Sequence, residues 1–306
     1  MGFTITGGVS ISGGVSLIPP AGSPSPSPSH VFQGSNFGYT SGGYSSTSEN
    51  VIDKFSFTSD GNATDVGDLT VSRSSLSGQS SDASGYSSGG DAAGTIDKFA
   101  FSSDGNATDV GDLTVGEQGA AGQSSSTSGY YSISNTIDKF SFSSDGNATD
   151  VGNLAVDRYG SSGQSSDASG YSSGGISPSA PFNNIDKFPF ASDGNATDVG
   201  DLTQSIYYVA GQSSSASGYS SGGSPITNTI EKFSFSSDGN ATDVGDLSQA
   251  RRLAAGQSST ASGYNSGGAT PSNVNTIDKF PFASDGNATD VGDLTEARRG
   301  VAGQQY

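Results

Sequence analysis

A block of about 45 residues recurs six times along this chain and limits the folds that it can adopt. Each copy contains the word IDKF, written IEKF once, and the phenylalanine of that word returns at intervals of 41 to 48 residues. These phenylalanines are Phe55, Phe99, Phe140, Phe188, Phe233 and Phe280. The spacing varies mainly after a Gly-Gly pair and after the leucine of GDL, so insertions fall where loops are expected. The period therefore predicts one supersecondary unit per repeat.

Four short words in each repeat indicate β-strands: AGQSS, SGYSSGG, IDKFSF and NATDVGDL. In an extended IDKFSF segment, Phe55 and Phe57 lie on one face and the lysine lies on the other. The Asp60-Gly61 pair that follows favours a hairpin. Four strands in each of six repeats predict an all-β fold, a six-bladed β-propeller with four-stranded blades. A stacked β-solenoid is the alternative, although its coils are usually shorter.

The two ends of the repeat region complement each other. Residues 32–43 contain the SGY-type word ahead of the first lysine word, whereas the chain stops at residues 301–306, VAGQQY, which contain the AGQ word and nothing after it. We therefore predict that the N-terminal and C-terminal segments share one blade and close the ring, which hides a sheet edge.

Two segments precede the predicted propeller, which spans residues 31–306. Residues 1–18 alternate small polar and apolar side chains with a period of two, which predicts an extended β-like segment that anchors or assembles the protein. Its apolar positions are Phe3, Ile5, Val9, Ile11, Val15 and Leu17. Residues 19–30 are rich in Pro and Ser and predict an extended, semi-stiff linker.

Composition narrows the functional classes. Large apolar residues are scarce, as in disordered chains, but they recur in register and therefore indicate a fold. The net charge of −18 argues against nucleic-acid binding, because an acidic surface repels phosphate. The chain has no cysteine and one histidine, His30, which excludes thiolate metal sites and weakens histidine-based catalysis. No apolar run is long enough for a membrane span, and no secretory leader is recognised. We expect an extracellular or virion-associated protein.

The order of the words over about residues 32–306 resembles the kelch repeat. GYSSGG, the aromatic of IDKFSF and GDL follow one another, and an arginine comes a few positions later in most repeats. These arginines are Arg73, Arg158, Arg251 and Arg298. The tryptophan that kelch repeats have in the last strand is absent from every copy, and YSIS replaces Gly-Gly in the third. The near-identical repeats and the TITGGVSISGGVSL start also resemble virion-associated repeat proteins of marine phages.

The repeated acidic loop raises two hypotheses of modification or binding. Asp60, Asn62, Thr64 and Asp68 have the 1-3-5-9 spacing of oxygen ligands, which looks like the Ca²⁺ loops of integrin-type propellers, although Asp65 stands where glycine is expected. Equivalent positions are Asp104, Asn106, Asp112, Asp193, Asn195, Asp201, Asp238, Asn240, Asp246, Asp285, Asn287 and Asp293. The alternative is a hairpin turn whose aspartates provide solubility and protect a sheet edge.

The same loop is a formal N-glycosylation site. Each copy contains N-A-T, an acceptor that is modified only in a glycosylating compartment. The six acceptors are Asn62, Asn106, Asn147, Asn195, Asn240 and Asn287. Duplication of one turn explains the sixfold count equally well.

Two further sixfold sets have alternative interpretations. The first set is the tyrosine of the SGY word in each repeat, which stacks on sugar rings if it is exposed or fills the space between blades if it is buried. These tyrosines are Tyr39, Tyr86, Tyr130, Tyr171, Tyr219 and Tyr264. The lysines either form a ring of positive charge or pair with neighbouring aspartates; they are Lys54, Lys98, Lys139, Lys187, Lys232 and Lys279.

These features favour a protein that is not an enzyme and has no cofactor. Ca²⁺ in the acidic loops is the one bound ion that the sequence suggests. Some kelch-like propellers are copper oxidases, but their His and Cys ligands are absent here, and no histidine accompanies the serines as a base. We expect a structural or display protein of a virion fibre, decoration or extracellular filament, anchored to itself or to a protein partner through residues 1–18. The alternative is a propeller that binds a glycan or receptor through its variable loops. Those loops are residues 91–94, 176–184, 224–228 and 269–275, together with 203–209 and its equivalents.

Overall fold

The computed structural model describes residues 32–91 and 94–306. They form six four-stranded antiparallel sheets around a common axis, which confirms the predicted six-bladed β-propeller. Within these two ranges no helix is long and apolar enough to cross a membrane. The predicted β-like segment 1–18 and the linker 19–30 lie outside the described residues.

Each predicted word is one strand of a blade, so the blade order follows the repeat. The inner strands, from the AGQ word, are β4 (Ser77–Ser80), β8 (Ala121–Ser124), β12 (Ser162–Ser165), β16 (Ala210–Ser213), β20 (Ala255–Ser258) and β26 (Ala302–Gln305). The second strands, from the SGY word, are β1 (Phe37–Ser41), β5 (Ser84–Ser88), β9 (Ser128–Ile133), β13 (Ser169–Ser173), β17 (Ser217–Ser221) and β21 (Ser262–Ser266).

The lysine word and the acidic word form the outer half of each blade. The third strands are β2 (Val51–Ser56), β6 (Thr95–Ala100), β10 (Thr136–Ser141), β14 (Asn184–Pro189), β18 (Thr229–Ser234) and β24 (Thr276–Pro281). The outer strands are β3 (Thr64–Asp68), β7 (Thr108–Asp112), β11 (Thr149–Gly152), β15 (Thr197–Asp201), β19 (Thr242–Asp246) and β25 (Thr289–Asp293). One blade contains an extra hairpin, β22 (Ala269–Thr270) and β23 (Ser272–Asn273).

The two ends of the chain close the ring as predicted. β26 is the inner strand of the blade that β1, β2 and β3 complete. It pairs antiparallel with β1, with Gln304 opposite Tyr39. The last strand of the sequence thereby hydrogen-bonds to the first, and no inner edge is left open.

The apolar core lies between blades rather than inside them. Each tyrosine of the SGY word is 1–2% exposed and stacks on the second phenylalanine of the next blade, with ring centroids 4.7–5.0 Å apart. The pairs are Tyr39 with Phe101, Tyr86 with Phe142, Tyr130 with Phe190, Tyr171 with Phe235, Tyr219 with Phe282, and Tyr264 with Phe57. The interpretation that these tyrosines fill the space between blades is confirmed, and their burial excludes them as sugar platforms.

Glycine at the centre of each inner strand allows the blades to meet at the axis. A Cβ atom on any of these six glycines would lie 2.0–2.3 Å from the carbonyl oxygen of the equivalent glycine in the preceding blade. The set is Gly78, Gly122, Gly163, Gly211, Gly256 and Gly303. The glutamine that follows each glycine donates from Nε2 to the tyrosine carbonyl of the next blade, as in Gln123 to Tyr171 at 2.9 Å. Only glycine therefore fits the axis of this narrow ring.

The hairpin predicted at the Asp-Gly pair forms, but through a loop longer than a two-residue turn. β2 and β3 are joined by the longer loop 57–63, and the pairing register shifts between Ile52 and Asp53. The longer loop follows from its contacts: Phe57 is needed in the interblade core, and Asp60 reaches the neighbouring blade. Interblade contacts thus override the local preference for a tight turn.

Strand direction gives the propeller two different faces. The inner strands run toward the face that contains the near-identical acidic loops, for example residues 57–63 and 101–107. We call this the repeat face. The opposite face contains the connections from second to third strands and from outer strands to the next blade. We call it the variable face, because every loop of divergent sequence lies there.

Candidate functional site

The lysines of the repeat face join adjacent blades. Each Nζ lies 2.8–2.9 Å from a carboxylate oxygen of the acidic loop in the next blade. The pairs are Lys54 with Asp104, Lys98 with Asp145, Lys139 with Asp193, Lys187 with Asp238, Lys232 with Asp285, and Lys279 with Asp60. The expected pairing with aspartate occurs, but the partner belongs to the next repeat and is not a neighbour in sequence. The aspartate of the IDKF word points the other way, into the blade interface.

The asparagine of each N-A-T sequence also bridges blades. Its side-chain Oδ1 accepts a hydrogen bond of 3.0–3.1 Å from a backbone N–H at the end of the preceding outer strand. The donors are Asp68 to Asn106, Asp112 to Asn147, Asn153 to Asn195, Asp201 to Asn240, Asp246 to Asn287, and Asp293 to Asn62. All six asparagines are exposed, so the acceptor sites are accessible, and glycosylation stays a prediction.

Three of the four predicted Ca²⁺ ligands of the first loop have a side-chain oxygen in contact with a protein group. Asp60 Oδ1 lies 2.9 Å from Lys279 Nζ, and Asn62 Oδ1 accepts from the Asp293 N–H. Thr64 Oγ1 lies 3.5 Å from the Lys54 carbonyl oxygen. In the described ranges, no group of three or more His, Asp or Glu side chains is arranged to hold a metal ion. These contacts occupy part of the capacity of the predicted ligands, and Ca²⁺ binding stays a prediction.

The arginines of the kelch-like pattern are buried in ion pairs. Each guanidinium is at most 1% exposed and lies 2.6–3.0 Å from the aspartate of a lysine word. The pairs are Arg73 with Asp97, Arg158 with Asp186, Arg251 with Asp278, and Arg298 with Asp53. Burial lowers the pKa of all four arginines, while the facing aspartate opposes that effect. Their role is to join the outer-strand link to the blade, and they are not accessible to a ligand.

Two blades lack this arginine and use different substitutes. In one, Tyr131 occupies the space and its hydroxyl donates to the Glu117 carbonyl. In the other, Ile206 replaces arginine and Glu231 replaces aspartate. Glu231 is 3% exposed, one of its oxygens has no partner in the described chain, and burial raises its pKa. Only the Thr203 backbone and hydroxyl groups donate to it.

A closed ring of backbone hydrogen bonds surrounds the axis on the variable face. Six residues, one from each outer-to-inner link, donate N–H groups to one another's carbonyls in sequence around the axis at 2.6–3.0 Å. They are Ser75, Gly119, Gly160, Tyr208, Leu253 and Gly300, and all have φ between 56° and 79°. This ring forms the mouth of the axial channel, where a cavity of about 60 Å³ lies. Its left-handed conformation favours glycine.

Three of the six ring positions hold side chains that this conformation disfavours. Tyr208 and Leu253 are the bulky cases, and a left-handed backbone costs such residues about 1–2 kcal/mol each. The Tyr208 ring lies over the channel mouth, where it approaches Gly119 and Gly160. Both of these glycines leave room for it, since a Cβ at Gly160 would lie 3.0 Å from the tyrosine ring. Tyr208 therefore fills space that the neighbouring links leave empty.

Aromatic and cationic side chains converge beside Tyr208. The Tyr207 and Tyr208 ring centroids are 4.9 Å apart. Tyr159 and Arg252 each precede a ring residue that hydrogen-bonds to the Tyr208 backbone, and Arg252 contacts Ser224, whose backbone pairs with that of Tyr207. Burial is the main cause that raises the pKa of Tyr208. We call Tyr159, Tyr207, Tyr208, Arg252 and Leu253 the axial cluster. Each side chain is partly exposed at the variable face.

Arg252 differs from almost every other cation of the molecule. All six lysines and four of the six arginines form salt bridges, and in the described ranges only Arg252 and Arg299 have no carboxylate partner. The Arg252 guanidinium contacts the Ser224 hydroxyl at 3.5 Å. Its buried Nε has no partner among the described residues, a feature that it shares with Arg73, Arg158 and Arg298. Both unpaired cations lie on the variable face.

Arg299 belongs to a second depression at the seam between the last and first blades. Its guanidinium lies 4.9 Å from the centre of the Tyr44 ring and donates to Asn273 Oδ1 at 3.0 Å. Asn273 in turn donates to the carbonyls of Tyr44 and Ser45. These groups line an open depression of about 430 Å³, together with the carboxylate of Glu296.

The described chain begins on the axis of the repeat face. Phe32 lies at the channel end that the inner strands of all six blades surround, and it is 7% exposed. Its ring centroid is 6.3 Å from that of Phe190, and its carbonyl accepts from Gln305. Gln33 donates to the Ser213 carbonyl, which extends the contact to another blade. The described chain therefore begins at the axis of the propeller, on the side away from the variable loops.

The molecule is a six-bladed β-propeller made of near-identical repeats, a fold used by binding and structural modules. A scan against protein-family models found no match for this chain, and a search of curated proteins found none either. The resemblances to kelch repeats and to phage proteins thus gain no support beyond the propeller architecture itself. The sequence placed specificity in residues 203–209 and its equivalents, and the axial cluster lies in those segments. It did not single out Arg252 or Tyr208, for which the doublets YY and RR after GDL were the available signal.

Proposed function

We propose that this protein is a non-enzymatic display module of a virion fibre, a decoration or an extracellular filament. Residues 1–18 attach it, residues 19–30 act as the spacer, and the variable face is presented. One observation carries the proposal: Phe32 lies on the axis of the repeat face, opposite all the divergent loops. An axial attachment leaves the whole variable face accessible. The resemblance of the near-identical repeats and of the TITGGVSISGGVSL start to virion-associated repeat proteins favours the same function.

The rim of the propeller supports attachment through the N-terminal segment. Every outer strand begins with an exposed Thr-Asp pair, as in β3 with Thr64 and Asp65. Charged side chains on an edge strand oppose pairing with a further strand. With a net charge of −18, discs repel each other side by side. Assembly through residues 1–18 avoids this repulsion, because it uses an uncharged segment.

Electron microscopy of the full chain beside a chain that begins at Val31 tests the proposal. We expect filaments or larger particles from the full chain and single discs from the shorter one. A full-length variant with Ile5, Val9 and Ile11 changed to Ser is the matched control and is expected to behave as the short chain. If the short chain assembles as well as the full chain, residues 1–18 are not the attachment. If both remain single discs, self-assembly is refuted, and attachment requires a different protein.

Binding of a surface glycan or receptor is the second candidate, and it is compatible with display. The observation that favours it is the strained, partly exposed Tyr208 beside an arginine without a carboxylate partner. Grafting the links of other repeats onto positions 203–209 tests it. Ligand choice is expected to change with the graft, whereas an unchanged ligand profile would leave the variable face with an architectural role.

A further inference from the structure

We propose that the axial cluster binds an acidic saccharide, with a sugar ring against Tyr208 and a sugar carboxylate at Arg252. This inference rests on the second candidate function, binding by the variable face, and adds the position of the site and the class of ligand. It does not depend on how residues 1–31 assemble.

Backbone strain at Tyr208 and Leu253 is the first argument. Three equivalent links have glycine at the same ring position, with the same hydrogen bonds and the same left-handed backbone. The ring therefore forms without these bulky side chains, and forms with less strain. Tyr208 and Leu253 keep a conformation that glycine adopts with less strain, and residues in such disfavoured conformations are concentrated at functional sites. All six links share the left-handed conformation, and in the three links with glycine it causes no such strain. The strain at Tyr208 and Leu253 therefore comes from their side chains and not from the ring itself.

The shape of the cluster indicates a ring-shaped, partly apolar ligand. Tyr207 and Tyr208 are tilted by 56° and provide two aromatic surfaces, and Leu253 adds an aliphatic one. The C–H face of a pyranose fits such surfaces, while its hydroxyl groups require polar neighbours. The Ser224 hydroxyl and the phenol groups supply those neighbours.

Charge decides between a neutral and an acidic sugar. Arg252 contacts the Ser224 hydroxyl at 3.5 Å, and no carboxylate in the described ranges neutralises it. A guanidinium binds carboxylates and sulfates through paired N–H groups. Arg299 is the other unpaired arginine, but Glu296 lines the same depression and opposes an anion there. Arg252 is therefore the favoured anion site in an otherwise acidic molecule.

Calorimetric titration of the full-length protein tests the inference. The probes are tetra-galacturonate, sialyllactose and a heparin tetrasaccharide, and cellotetraose is the neutral comparison. At least one acidic probe is expected to bind at about 1 mM or tighter, and at least about tenfold more tightly than cellotetraose. Tyr208→Gly is expected to weaken that binding at least about tenfold, and Arg252→Gln to remove the preference for the acidic sugar.

Ser75→Gly is the matched control, because it relieves the same backbone conformation in a link outside the cluster. It is expected to leave binding unchanged. Tyr208→Gly relieves the backbone strain but also removes a ring that packs against Gly119 and Gly160, so the unfolding temperature of each variant is measured and the titrations are run well below it. Binding that survives both site variants, a stronger affinity for cellotetraose, or no binding of any probe at about 1 mM overturns the inference. None of these results bears on assembly through residues 1–18, which the microscopy measures separately.

Discussion

The buried ion pair between Arg251 and Asp278 gives a sharp test of how the blades are held together. Both side chains are fully buried, and Arg251 Nη2 lies 2.6 Å from Asp278 Oδ2. The guanidinium also donates from Nε to Asn265 Oδ1 at 2.9 Å. Arg251→Ile copies the residue that another blade has at this position, Ile206, so the new side chain suits the site sterically.

The magnitude follows from the charge that remains. After Arg251→Ile, the Asp278 carboxylate keeps only the Ser248 N–H and hydroxyl as donors. Removing one partner of a buried ion pair costs about 3–5 kcal/mol, because the other charge stays buried. For a domain of this size that loss lowers the unfolding temperature by roughly 10 °C. The double variant Arg251→Ile with Asp278→Asn buries no charge and is expected to recover most of the loss.

Urea unfolding followed by tyrosine fluorescence measures the effect, since the chain has no tryptophan. The single variant should shift the midpoint strongly and the double variant weakly. The reasoning is refuted if the single variant loses less than about 1 kcal/mol, or if the double variant is the less stable of the two. Either result would mean that packing, and not the ion pair, joins this link to its blade.

Three further predictions concern other joints of the ring. Burial without a cation raises the Glu231 pKa, so the native state loses stability as the pH rises from the ordinary carboxyl value through the raised one. Glu231→Gln should therefore gain stability over the natural chain at pH 7 but not at pH 4, and an equal difference at both would contradict this. Gly163→Ala should lower the free energy of unfolding in urea by about 1–3 kcal/mol, because its Cβ would lie 2.1 Å from the Gly122 carbonyl oxygen. Gly194→Ala is the control: a Cβ there meets open space, and the free energy of unfolding should change little. Lys98→Met should lower the free energy of unfolding by less than about 1 kcal/mol, because its partner Asp145 is more than half exposed and water screens the pair. If the variant loses more stability in high salt than in low salt, the charge of Lys98 is not the cause.

Much of the architecture follows from the repeats because the same contact recurs six times. The tyrosines and phenylalanines could be placed between blades from their alternation and from the small residues around them. The partner of Lys54 could not be predicted, because Asp104 lies in the next repeat and Asp53 is adjacent in sequence. The length of the acidic loop at Asp60-Gly61 could not be predicted either, since local turn preference does not include the contacts with the adjacent blade.

Sequence by itself determined the strands, the blade number, the closure of the ring and the segments that vary. Those properties depend on periodicity and on complementary ends, which are local patterns repeated along the chain. Only the tertiary structure decided which residues meet. The ring of left-handed residues at the axis requires a hydrogen bond from each link to the preceding one, so the conformation of Tyr208 is a property of the closed circle. The axial cluster likewise combines side chains from three links about 45 residues apart in sequence, which the propeller axis brings to one point.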